Sequence, residues 1–517
     1  MVKKRALISV YNKENIVEFA KRLTQEFNYE IISTGGTFDT LKANGIDAIE
    51  VSDITGFREL LGGRVKTLHP SVFGGILASR SHHEDMEEIK ERDIVPIDLV
   101  VVNLYPFEEA SKDHYMEASK LIEFIDIGGV SLLRAAAKNY YYVTPVYSPL
   151  LYDKVLEDLR ENVDTNSYDL RKELAIGTFQ YTSTYDSIIS EQLYARLTDI
   201  SAEQLPDMFN INLKKKQNLR YGENPHQKAA LYKTNSDVDF EVLQGKELSY
   251  NNIVDITAAM DLITEFIDIP VACIIKHTNP CGIALGENIT DAYMKAFNCD
   301  PISAFGGIIG LNETVNQEIA NHIKEIFFEV VVAPDFSEEA LEILSAKKNL
   351  RLVKVSIDAL NYRASQKDTV KMLPFGVLIQ TPDQKDLSKD NFKIATSHKP
   401  TEEQIEDMVF AWKVVKHVKS NAIVIAKNKR LIGIGTGQTS RIASMEIALN
   451  QACDETKDAV IASDAFFPAV DNIHAAAQAR IGAIIQPGGS IKDKEVIAEA
   501  EKYGISMILT GIRHFQH

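Results

Sequence analysis

Apolar runs alternate with stretches of helical periodicity along the first 146 residues of the chain. Three of these runs predict β-strands, at Ala6–Val10, Tyr29–Ser33 and Ile97–Leu104. Asn15–Leu23 carries apolar residues at helical spacing, and longer helical patterns follow near 150–162 and 167–196. Strands that alternate with helices indicate a mostly parallel sheet with flanking helices, which is the α/β class.

A second pattern occurs twice in the C-terminal part of the chain. One copy begins with the apolar run 271–275 and the other with 422–426, and each reads β-β-α-β-α-β-α-β. Residue identity between the copies is weak, so the duplication rests on the order of elements. Such a duplication predicts a ligand site between the copies or between subunits.

The region from about 198 to 217 separates the two patterns. It contains a proline, scattered polar residues and the run Lys214–Lys216. We interpret it as an interdomain linker, with a surface loop inside one domain as the alternative. The predicted domains are therefore 1–199 and 200–517, and the second is split into two subdomains near 360–400.

Composition narrows the class of protein. A chain of 517 residues with 45% apolar and 25% charged residues can bury a large core, which excludes a disordered or disulfide-stapled protein. The formal net charge of -17 argues against nucleic acid and anionic membranes as partners, although a small anion can still bind in a locally basic pocket.

No apolar stretch reaches the roughly 18 residues of a membrane span. The first apolar run is too short for a signal peptide, and the four cysteines form no C-x-x-C pair. We predict a cytoplasmic protein with reduced thiols.

Gly-Gly pairs follow predicted strands at several places. Thr34–Thr37 links a strand to a helix, where free backbone N–H groups and the helix dipole favour an anion. A phosphate loop and a plain βα turn both fit this segment. In Gly62–Pro70, Arg64 and Lys66 alternate, and an extended segment would place both cations on one face. A phosphate clamp and a solvated loop both fit here.

Other polar residues also follow predicted strands. Tyr105 ends one strand and Asp126 precedes the predicted helix Val130–Lys138. A helix cap for Asp126 and a dipole complement for Lys138 are the structural alternatives to a functional role. Because ligands of open α/β sheets bind outside the carboxyl ends of the strands, the shared location favours a ligand site.

Lys276 and His277 lie side by side after the strand 271–275. A histidine can exchange a proton near neutral pH, and a neighbouring lysine can stabilise negative charge. A structural loop histidine is the alternative. Phe466 lies in the polar run that ends another strand and can stack on a planar ring, although a core aromatic is the commoner role. The zinc-deaminase signatures H-x-E and P-C-x-x-C do not occur in the segment around Lys276.

Six strings in this order identify a family: GGRVKTLHP (62–70), NLYPF (103–107), DIGG (126–129), RYGENPHQ (220–227), KHTNPCG (276–282) and SDAFFP (463–468). Along essentially its whole length the chain resembles the bifunctional purine biosynthesis enzymes that combine aminoimidazole-carboxamide ribonucleotide (AICAR) formyltransferase with inosine monophosphate (IMP) cyclohydrolase. The resemblance implies formyl transfer from 10-formyltetrahydrofolate to AICAR, which gives FAICAR, and cyclisation of FAICAR to IMP with loss of water.

The resemblance also implies an architecture. It consists of an N-terminal methylglyoxal-synthase-like domain and a C-terminal region of two cytidine-deaminase-like subdomains without zinc. The family is a homodimer with formyltransferase sites at the subunit interface, and its substrates are small-molecule nucleotides and folates. 10-Formyltetrahydrofolate is a co-substrate and no catalytic metal is expected. The family admits a structural monovalent cation, whose ligands the sequence does not identify.

For formyl transfer, the resemblance implies that the 5-amino group of AICAR attacks the formyl carbon. His277 accepts the proton, Lys276 supports it and handles charge at the leaving folate nitrogen, and Asn421 hydrogen-bonds the reacting groups. The positions that match ribonucleotide contacts are Arg220, Tyr221, Phe305, Gly306, Glu329, Arg441, Phe466 and Arg513. The positions that match folate contacts are Ile442, Ser490 and Ile491. Glu329 replaces the family's aspartate and keeps the carboxylate.

For cyclisation, the resemblance implies that the carboxamide nitrogen attacks the formyl group. The matching catalytic cluster is Lys66, Tyr105, Asp126 and Lys138, and the sequence does not assign the proton transfers among them. The positions that match the nucleotide cradle are Ser9, Tyr11, Asn12, Lys13, Thr34, Gly35, Gly36, Thr37, Arg64 and Thr67. Tyr11 replaces the family's serine.

Two other classes fit parts of the pattern. One is a deaminase-fold enzyme acting on a nucleobase or nucleotide, and the other is a non-catalytic nucleotide sensor, because methylglyoxal-synthase-like domains also serve as regulatory modules. Catalytic zinc at one ion per chain would favour a deaminase. Mere sensing would not require Lys276, His277 or Lys66.

Overall fold

The computed structural model describes residues 3–113, 115–163, 165–198, 205–233, 239–356, 369–385, 387 and 392–517. The chain forms two compact units, Met1–Asn212 and Leu213–His517. The boundary predicted between residues 199 and 200 lies outside the described residues. Much of the split predicted near 360–400 also lies outside them.

Unit 1 (Met1–Asn212) contains one five-stranded sheet with helices around it. Its strands are β1 (Arg5–Val10), β2 (Glu30–Ser33), β3 (Ala48–Glu50), β4 (Leu99–Asn103) and β5 (Thr144–Val146). Its helices are α1 (Ile16–Phe27), α2 (Gly35–Ala43), α3 (Val51–Thr55), α4 (Pro70–Leu77), α5 (His83–Glu91), α6 (Phe107–Ser111), α7 (Ala118–Leu121), α8 (Gly128–Lys138), α9 (Tyr152–Glu161) and α10 (Tyr168–Leu197).

The strand order of unit 1 is β3-β2-β1-β4-β5, and every pairing is parallel. All five residues of β4 are buried, as expected for a parallel strand that helices cover on both faces. Helix α1 buries the face that carries Phe19 and Leu23 against this sheet. The predicted parallel α/β sheet is confirmed. Its strand order reverses between β1 and β4, which creates a crevice at their carboxyl ends.

Unit 2 (Leu213–His517) contains a larger sheet and two hairpins. Its strands are β6 (Lys214–Leu219), β7 (Ala229–Lys233), β8 (Phe240–Gln244), β9 (Val271–Lys276), β10 (Asn279–Leu285), β11 (Ile308–Leu311), β12 (Val330–Ala333), β13 (Arg351–Val355), β14 (Thr369–Leu373), β15 (Gly376–Gln380), β16 (Lys393–Ile394), β17 (Ile423–Lys427), β18 (Arg430–Gly435), β19 (Val460–Ser463), β20 (Ala483–Gln486) and β21 (Ser506–Leu509). Its helices are α11 (Tyr250–Thr264), α12 (Ile289–Phe297), α13 (Pro301–Ala304), α14 (Gln317–Glu325), α15 (Glu338–Leu344), α16 (Glu402–Val415), α17 (Arg441–Ala452), α18 (Asp471–Gln478) and α19 (Asp493–Lys502).

The twelve strands of the large sheet follow the order β16-β21-β20-β19-β17-β18-β10-β9-β11-β12-β13-β8. The order is symmetric about the β18–β10 pair, and the predicted β-β-α-β-α-β-α-β order is present on both sides. The first copy adds the short helix α13. Helices α11 and α16 occupy equivalent positions before the two copies, and both contribute to the same apolar core. The structure therefore supports the duplication that the pattern predicted.

The linker prediction is wrong at its C-terminal end. Lys214–Lys216 belongs to β6, which pairs antiparallel with β7 in a separate two-stranded sheet. Every residue of β6 is exposed or only partly buried. A strand without a buried face has no alternating apolar pattern, so its residues look like a polar linker in the sequence.

Candidate functional sites

A cleft of about 720 Å³ opens at the crevice between β1 and β4 of unit 1. Most of the predicted cyclohydrolase residues line it, namely Ser9, Tyr11, Lys13, Thr34, Gly35, Gly36, Thr37, Arg64, Lys66, Thr67, Tyr105 and Asp126. They come from the ends of β1, β2 and β4 and from two loops that are distant from each other in the sequence. The site therefore occupies the place where doubly wound sheets bind ligands.

The ends of β1 and β2 are fixed by buried hydroxyl groups. Thr37 Oγ1 accepts a hydrogen bond from the Val10 N–H at 3.1 Å and donates one to the Val10 carbonyl at 2.9 Å. The hydroxyls of Ser9 and Thr34 lie 2.9 Å apart. These bonds hold the first turn of α2 against the end of β1, so its backbone faces the cleft.

Two lysine side chains reach this first turn. A Cβ built on Gly35 would lie 3.1 Å from Lys66 Nζ, and one built on Gly36 would lie 3.9 Å from Lys13 Nζ. Gly63, at φ +93°, lies on the other side of the Lys66 side chain, and a Cβ there would be 2.7 Å from Lys66 Cε. Two ammonium groups at a helix N-terminus form a site for an anion such as a phosphate.

The loop that carries Arg64 and Lys66 is a turn, so the prediction of an extended segment is wrong. Leu61–Gly63 forms a single turn of 3₁₀ helix, and Arg64 continues with helical φ and ψ. Both cations still line the cleft, since the two glycines at positive φ allow the chain to fold back. Carboxylates pair with both cations: Glu123 with Arg64, and Glu59 with Lys66 at 2.8 Å.

Asp126 combines a capping role with a place in the cleft. Its Oδ1 accepts a hydrogen bond from the Gly129 N–H at 2.6 Å, and its own N–H donates to the Tyr185 hydroxyl at 2.8 Å. Burial raises the pKa of the Asp126 carboxyl, while the backbone N–H groups of Gly129 and Tyr105 oppose that rise. The pKa of this half-buried carboxyl group therefore lies closer to neutral pH than the pKa of an exposed aspartate.

Two aromatic rings lie at the mouth of the cleft. The centroids of Tyr11 and Tyr105 are 5.4 Å apart and both side chains are about half exposed.

Asn103, which the sequence analysis did not single out, also lines the cleft. Its side chain bonds both backbone groups of Asn12, at 2.8 and 2.9 Å. Asn12 itself is exposed and is not among the residues that line the cleft. A polar residue at the end of the apolar strand β4 was the available signal for Asn103.

The structure does not bring Lys138 into this cleft with the other predicted catalytic residues. It is the last residue of α8, whereas Asp126 lies just before the first. A helix of 11 residues separates the two by roughly 16 Å. Lys138 instead lines a separate apolar groove with Phe73, Arg134 and Phe179.

The strand directions of unit 2 gather the predicted formyltransferase residues at one edge of the large sheet. β9 runs antiparallel to β11, β10 to β18, and β17 to β19. The carboxyl end of β9, the amino ends of β11 and β12, and the carboxyl ends of β18–β21 therefore meet the same edge. The residues beside these ends are Lys276, His277, Phe305, Gly306, Glu329, Asn421, Arg441, Ile442, Phe466, Ser490, Ile491 and Arg513.

The Lys276 ammonium group is held by the end of α13 and by the loop that follows it. It donates to the carbonyls of Ser303 at 3.1 Å and Phe305 at 2.9 Å. The next residue along this loop, Gly306, donates its N–H to the Phe327 carbonyl at 2.8 Å. The His277 side chain is exposed at the edge. Lysine, histidine and Gly306 thus form one local cluster.

Asn421 is fixed by a buried ion pair. Arg441 Nη2 donates to Asn421 Oδ1 at 2.8 Å, while Nη1 pairs with the carboxylate of Asp464 and donates to Ser463 Oγ at 2.9 Å. Arg441 and Asp464 are 6% and 0% exposed. Arg441 therefore orients Asn421, a function that its predicted role as a ligand contact did not include.

Breaking this pair is expected to destabilise unit 2. Arg441→Met leaves the Asp464 carboxylate buried without its partner, which costs about 3–5 kcal/mol of unfolding free energy. Urea unfolding followed by fluorescence of Trp412 measures this, because Trp412 is the single tryptophan of the chain and is buried in unit 2. The control is Arg430→Met, whose ion pair with the exposed Glu455 is worth at most about 1 kcal/mol. Equal losses in the two variants would contradict the buried-pair argument.

A chain of hydrogen bonds connects Asn421 with the His277 turn. Asn421 Nδ2 donates to the Gln438 carbonyl at 2.9 Å, and Gln438 Nε2 donates to the Thr436 carbonyl at 3.1 Å. Thr436 Oγ1 donates to Asn279 Oδ1 at 2.8 Å, and Asn279 Nδ2 donates to the His277 carbonyl at 2.9 Å. The two copies of the duplication thus share one polar network at the edge.

The remaining predicted residues lie farther out. Arg220 stacks on Tyr221 after β6, with 5.5 Å between the guanidinium and the ring centroid, and the loop that follows is tied to α11 through Asn251. Arg513 stacks on Phe515 at 4.4 Å. Ile491 is fully exposed in the loop after β20. The described contacts do not bring these side chains onto the Lys276 cluster.

The described part of the chain contains no group of three or more His, Cys, Asp or Glu side chains placed to hold a metal ion. No helix among those residues is long and apolar enough to cross a membrane.

Two family models match the chain. A family model described as "AICARFT/IMPCHase bienzyme" matches residues 136–451, and one described as "MGS-like domain" matches residues 15–131. A solved structure titled "Crystal structure of ForH" matches 37% of this chain and 98% of its own at 33% identity, but a TM-score of 0.33 does not establish a common fold.

Two curated relatives carry the name "Bifunctional purine biosynthesis protein PurH". The relative from Caldicellulosiruptor saccharolyticus is 50% identical over 99% of this chain and 100% of its own. The relative from Bacillus subtilis is 47% identical over 100% of both chains. The matches cover both units and both predicted sites, so the chain belongs to the AICARFT/IMPCHase bienzyme family of bifunctional purine biosynthesis proteins.

Proposed function

We propose that the two activities of this family divide between the two units of this chain. The chain is a bifunctional AICAR formyltransferase and IMP cyclohydrolase, which catalyses the last two steps of IMP synthesis. We assign formyl transfer to the edge around Lys276, His277 and Asn421, and cyclisation to the cleft of unit 1. The observation that carries the first assignment is the network joining His277 to Asn421.

In formyl transfer, the amino nitrogen of AICAR forms a bond with the formyl carbon as the bond from that carbon to the folate nitrogen breaks. The exposed His277 imidazole accepts the proton that the amine loses. The Lys276 ammonium group, oriented by two carbonyls, stabilises negative charge and supports proton delivery to the folate nitrogen. Asn421, fixed by Arg441, orients the reacting groups.

In cyclisation, the carboxamide nitrogen of FAICAR bonds to the formyl carbon and water leaves. The phosphate fits the first turn of α2, beside Lys66 and Lys13. The raised pKa of Asp126 suits it to exchange a proton with the carboxamide or the leaving oxygen. Tyr105 lies at the mouth of the same cleft, where its ring and hydroxyl can contact the base.

Incubation of the chain with AICAR and 10-formyltetrahydrofolate tests the assignment as a whole. Tetrahydrofolate and IMP should form in equal amounts. Formation of tetrahydrofolate with FAICAR alone would disprove cyclisation. Formation of neither product would disprove formyl transfer, and supplied FAICAR would then test cyclisation separately.

Gly129→Ala tests the place of Asp126 in cyclisation. A Cβ on Gly129 would lie 2.6 Å from Asp126 Oδ2, so the carboxylate must shift. We expect the rate of IMP formation from supplied FAICAR to fall on the order of tenfold, because small displacements of a reacting group are costly. Ser131→Ala in the same helix removes only a hydrogen bond to the Ile127 carbonyl and serves as the control. An unchanged rate in folded Gly129→Ala would contradict the role.

The length of the sheet edge supports the proposal of a homodimer. Eight strand spacings, at ~4.8 Å each, separate β12, beside Glu329, from β21, which precedes Arg513. One ribonucleotide cannot contact both ends of an edge roughly 40 Å long. If all the matched residues bind AICAR, a second copy must therefore supply some of them. Sedimentation analysis would disprove this if the active enzyme were a monomer.

The finer architecture follows the family. We propose two cytidine-deaminase-like subdomains without zinc in unit 2, a methylglyoxal-synthase-like domain in unit 1, domain limits near 199 and 200, and a cytoplasmic location. 10-Formyltetrahydrofolate acts as co-substrate, and nucleic acid and membranes are not partners. A structural monovalent cation stays a prediction from the resemblance. Zinc bound at one ion per chain and required for activity would overturn the zinc-free assignment.

A further inference from the structure

The turn that carries His277 has an unusual backbone. Lys276 and Asn279 pair across the β9–β10 hairpin, so His277 and Thr278 form its two-residue loop. Their φ angles are +53° and +63°. Such a loop requires positive φ at both positions and favours Asn and Gly, whereas a β-branched threonine disfavours it.

Asp255 on α11 holds this turn in place. Its Oδ1 accepts a hydrogen bond from the Thr278 N–H at 2.7 Å. The carboxyl is half-buried, and burial raises its pKa, while the Thr278 N–H and the charge of His277 oppose the rise. Asp255 is therefore bonded directly to the backbone of the turn that carries His277.

The second copy of the duplication contains an equivalent turn that an aspartate supports, but no residue of the proposed reaction lies on it. There the β17–β18 loop is Asn428-Lys429, at φ +55° and +54°. Asp407 on α16 accepts hydrogen bonds from the N–H groups of Asn428 at 2.9 Å and Lys429 at 2.6 Å. The duplication thus supplies a matched control, in which an aspartate supports an equivalent turn that carries no residue of the proposed reaction.

We infer that Asp255 is a positioning residue for formyl transfer, which aims the His277 imidazole by holding the strained His277-Thr278 turn. This inference rests on the proposed assignment of formyl transfer to His277. A turn released from Asp255 relaxes toward negative φ at Thr278, and the imidazole then leaves its productive direction. We expect removal of Asp255 to lower kcat and not to raise KM, because Asp255 is not among the proposed contacts to AICAR.

The test compares kcat and KM of formyl transfer in four variants. Asp255→Ala is expected to lower kcat by ten- to a hundredfold with KM for AICAR changed by less than about threefold. Asp255→Asn, whose amide oxygen still accepts the Thr278 N–H, should retain most of kcat. Asp407→Ala should leave kcat within about threefold of wild type. Adding Thr278→Gly to Asp255→Ala should restore much of the loss, because glycine adopts positive φ freely.

The outcomes separate this inference from the proposed function. If His277→Ala keeps full formyl transfer, the assignment of the site fails. If His277→Ala is inactive but Asp255→Ala is fully active, only the role of Asp255 fails. Equal losses in Asp255→Ala and Asp255→Asn, or in Asp255→Ala and Asp407→Ala, would also overturn it. Should Asp255→Ala not fold by Trp412 fluorescence, the Asp255→Ala/Thr278→Gly double variant and Asp255→Asn decide the question.

Discussion

His277→Ala is expected to lower formyl transfer by about 10²–10⁴-fold, the usual effect of removing a general base. The same variant should convert supplied FAICAR to IMP at the wild-type rate. The physical reason is that His277 is exposed at the edge of the unit 2 sheet, whereas the cleft proposed for cyclisation is built from unit 1 residues alone. Separate assays with AICAR plus 10-formyltetrahydrofolate and with FAICAR alone measure the two effects.

His474→Ala is the matched control for this variant. His474 also lies in unit 2, about half exposed on α18, where it pairs with Glu499 at 3.0 Å. Its loss removes a surface interaction worth at most about 1 kcal/mol and touches none of the residues at the edge. A folded His277→Ala enzyme with normal formyl transfer would refute the proposed base, and loss of both activities would refute the separation of sites.

The sequence alone predicted the parts of the fold that repeat a simple pattern. The parallel sheet of unit 1 and the two copies in unit 2 follow from apolar runs and helical spacing. The strand-end argument holds for Tyr105, which follows β4. It is wrong for Asp126, which follows a 3₁₀ turn (Ile122–Phe124) and not a strand, although Asp126 lines the same cleft. The sequence did not predict the pairing of β10 with β18. This pairing joins the two copies and brings Asn421 to the same edge of the sheet as His277.

The sequence did not locate residues whose position depends on the path of the chain. The resemblance grouped Lys138 with Asp126, but the 11-residue helix α8 separates the two in this chain. Arg64 and Lys66 alternate as in a strand, but two glycines at positive φ turn the chain instead. Asp255 gave no signal, because a carboxylate on an amphipathic helix is usually a solvated residue.

Lys66→Ala is expected to lower cyclisation of FAICAR by about 10²–10³-fold, the range found when a group that stabilises developing charge is removed. Lys66 Nζ lies beside the first turn of α2, where its charge and the helix dipole act on the same bound anion. The loss should appear in both kcat and KM, because the ammonium group serves phosphate binding and the reacting groups. Formyl transfer should continue, and FAICAR should accumulate in the coupled assay.

Lys42→Ala provides the comparison for Lys66→Ala. Lys42 lies in the last turn of the same helix, and its ion pair with the exposed Asp47 is 3.0 Å long. Both variants remove one positive charge near α2. Lys42 lies in the C-terminal turn of this helix, whereas Lys66 lies in a separate loop beside its N-terminus, which faces the cleft. Because surface potentials act over about a Debye length, a general charge effect would slow both variants to a similar degree and weaken at high salt. A local effect confines the loss to Lys66→Ala, and an equal loss in Lys42→Ala would rule out the anion site at the α2 N-terminus.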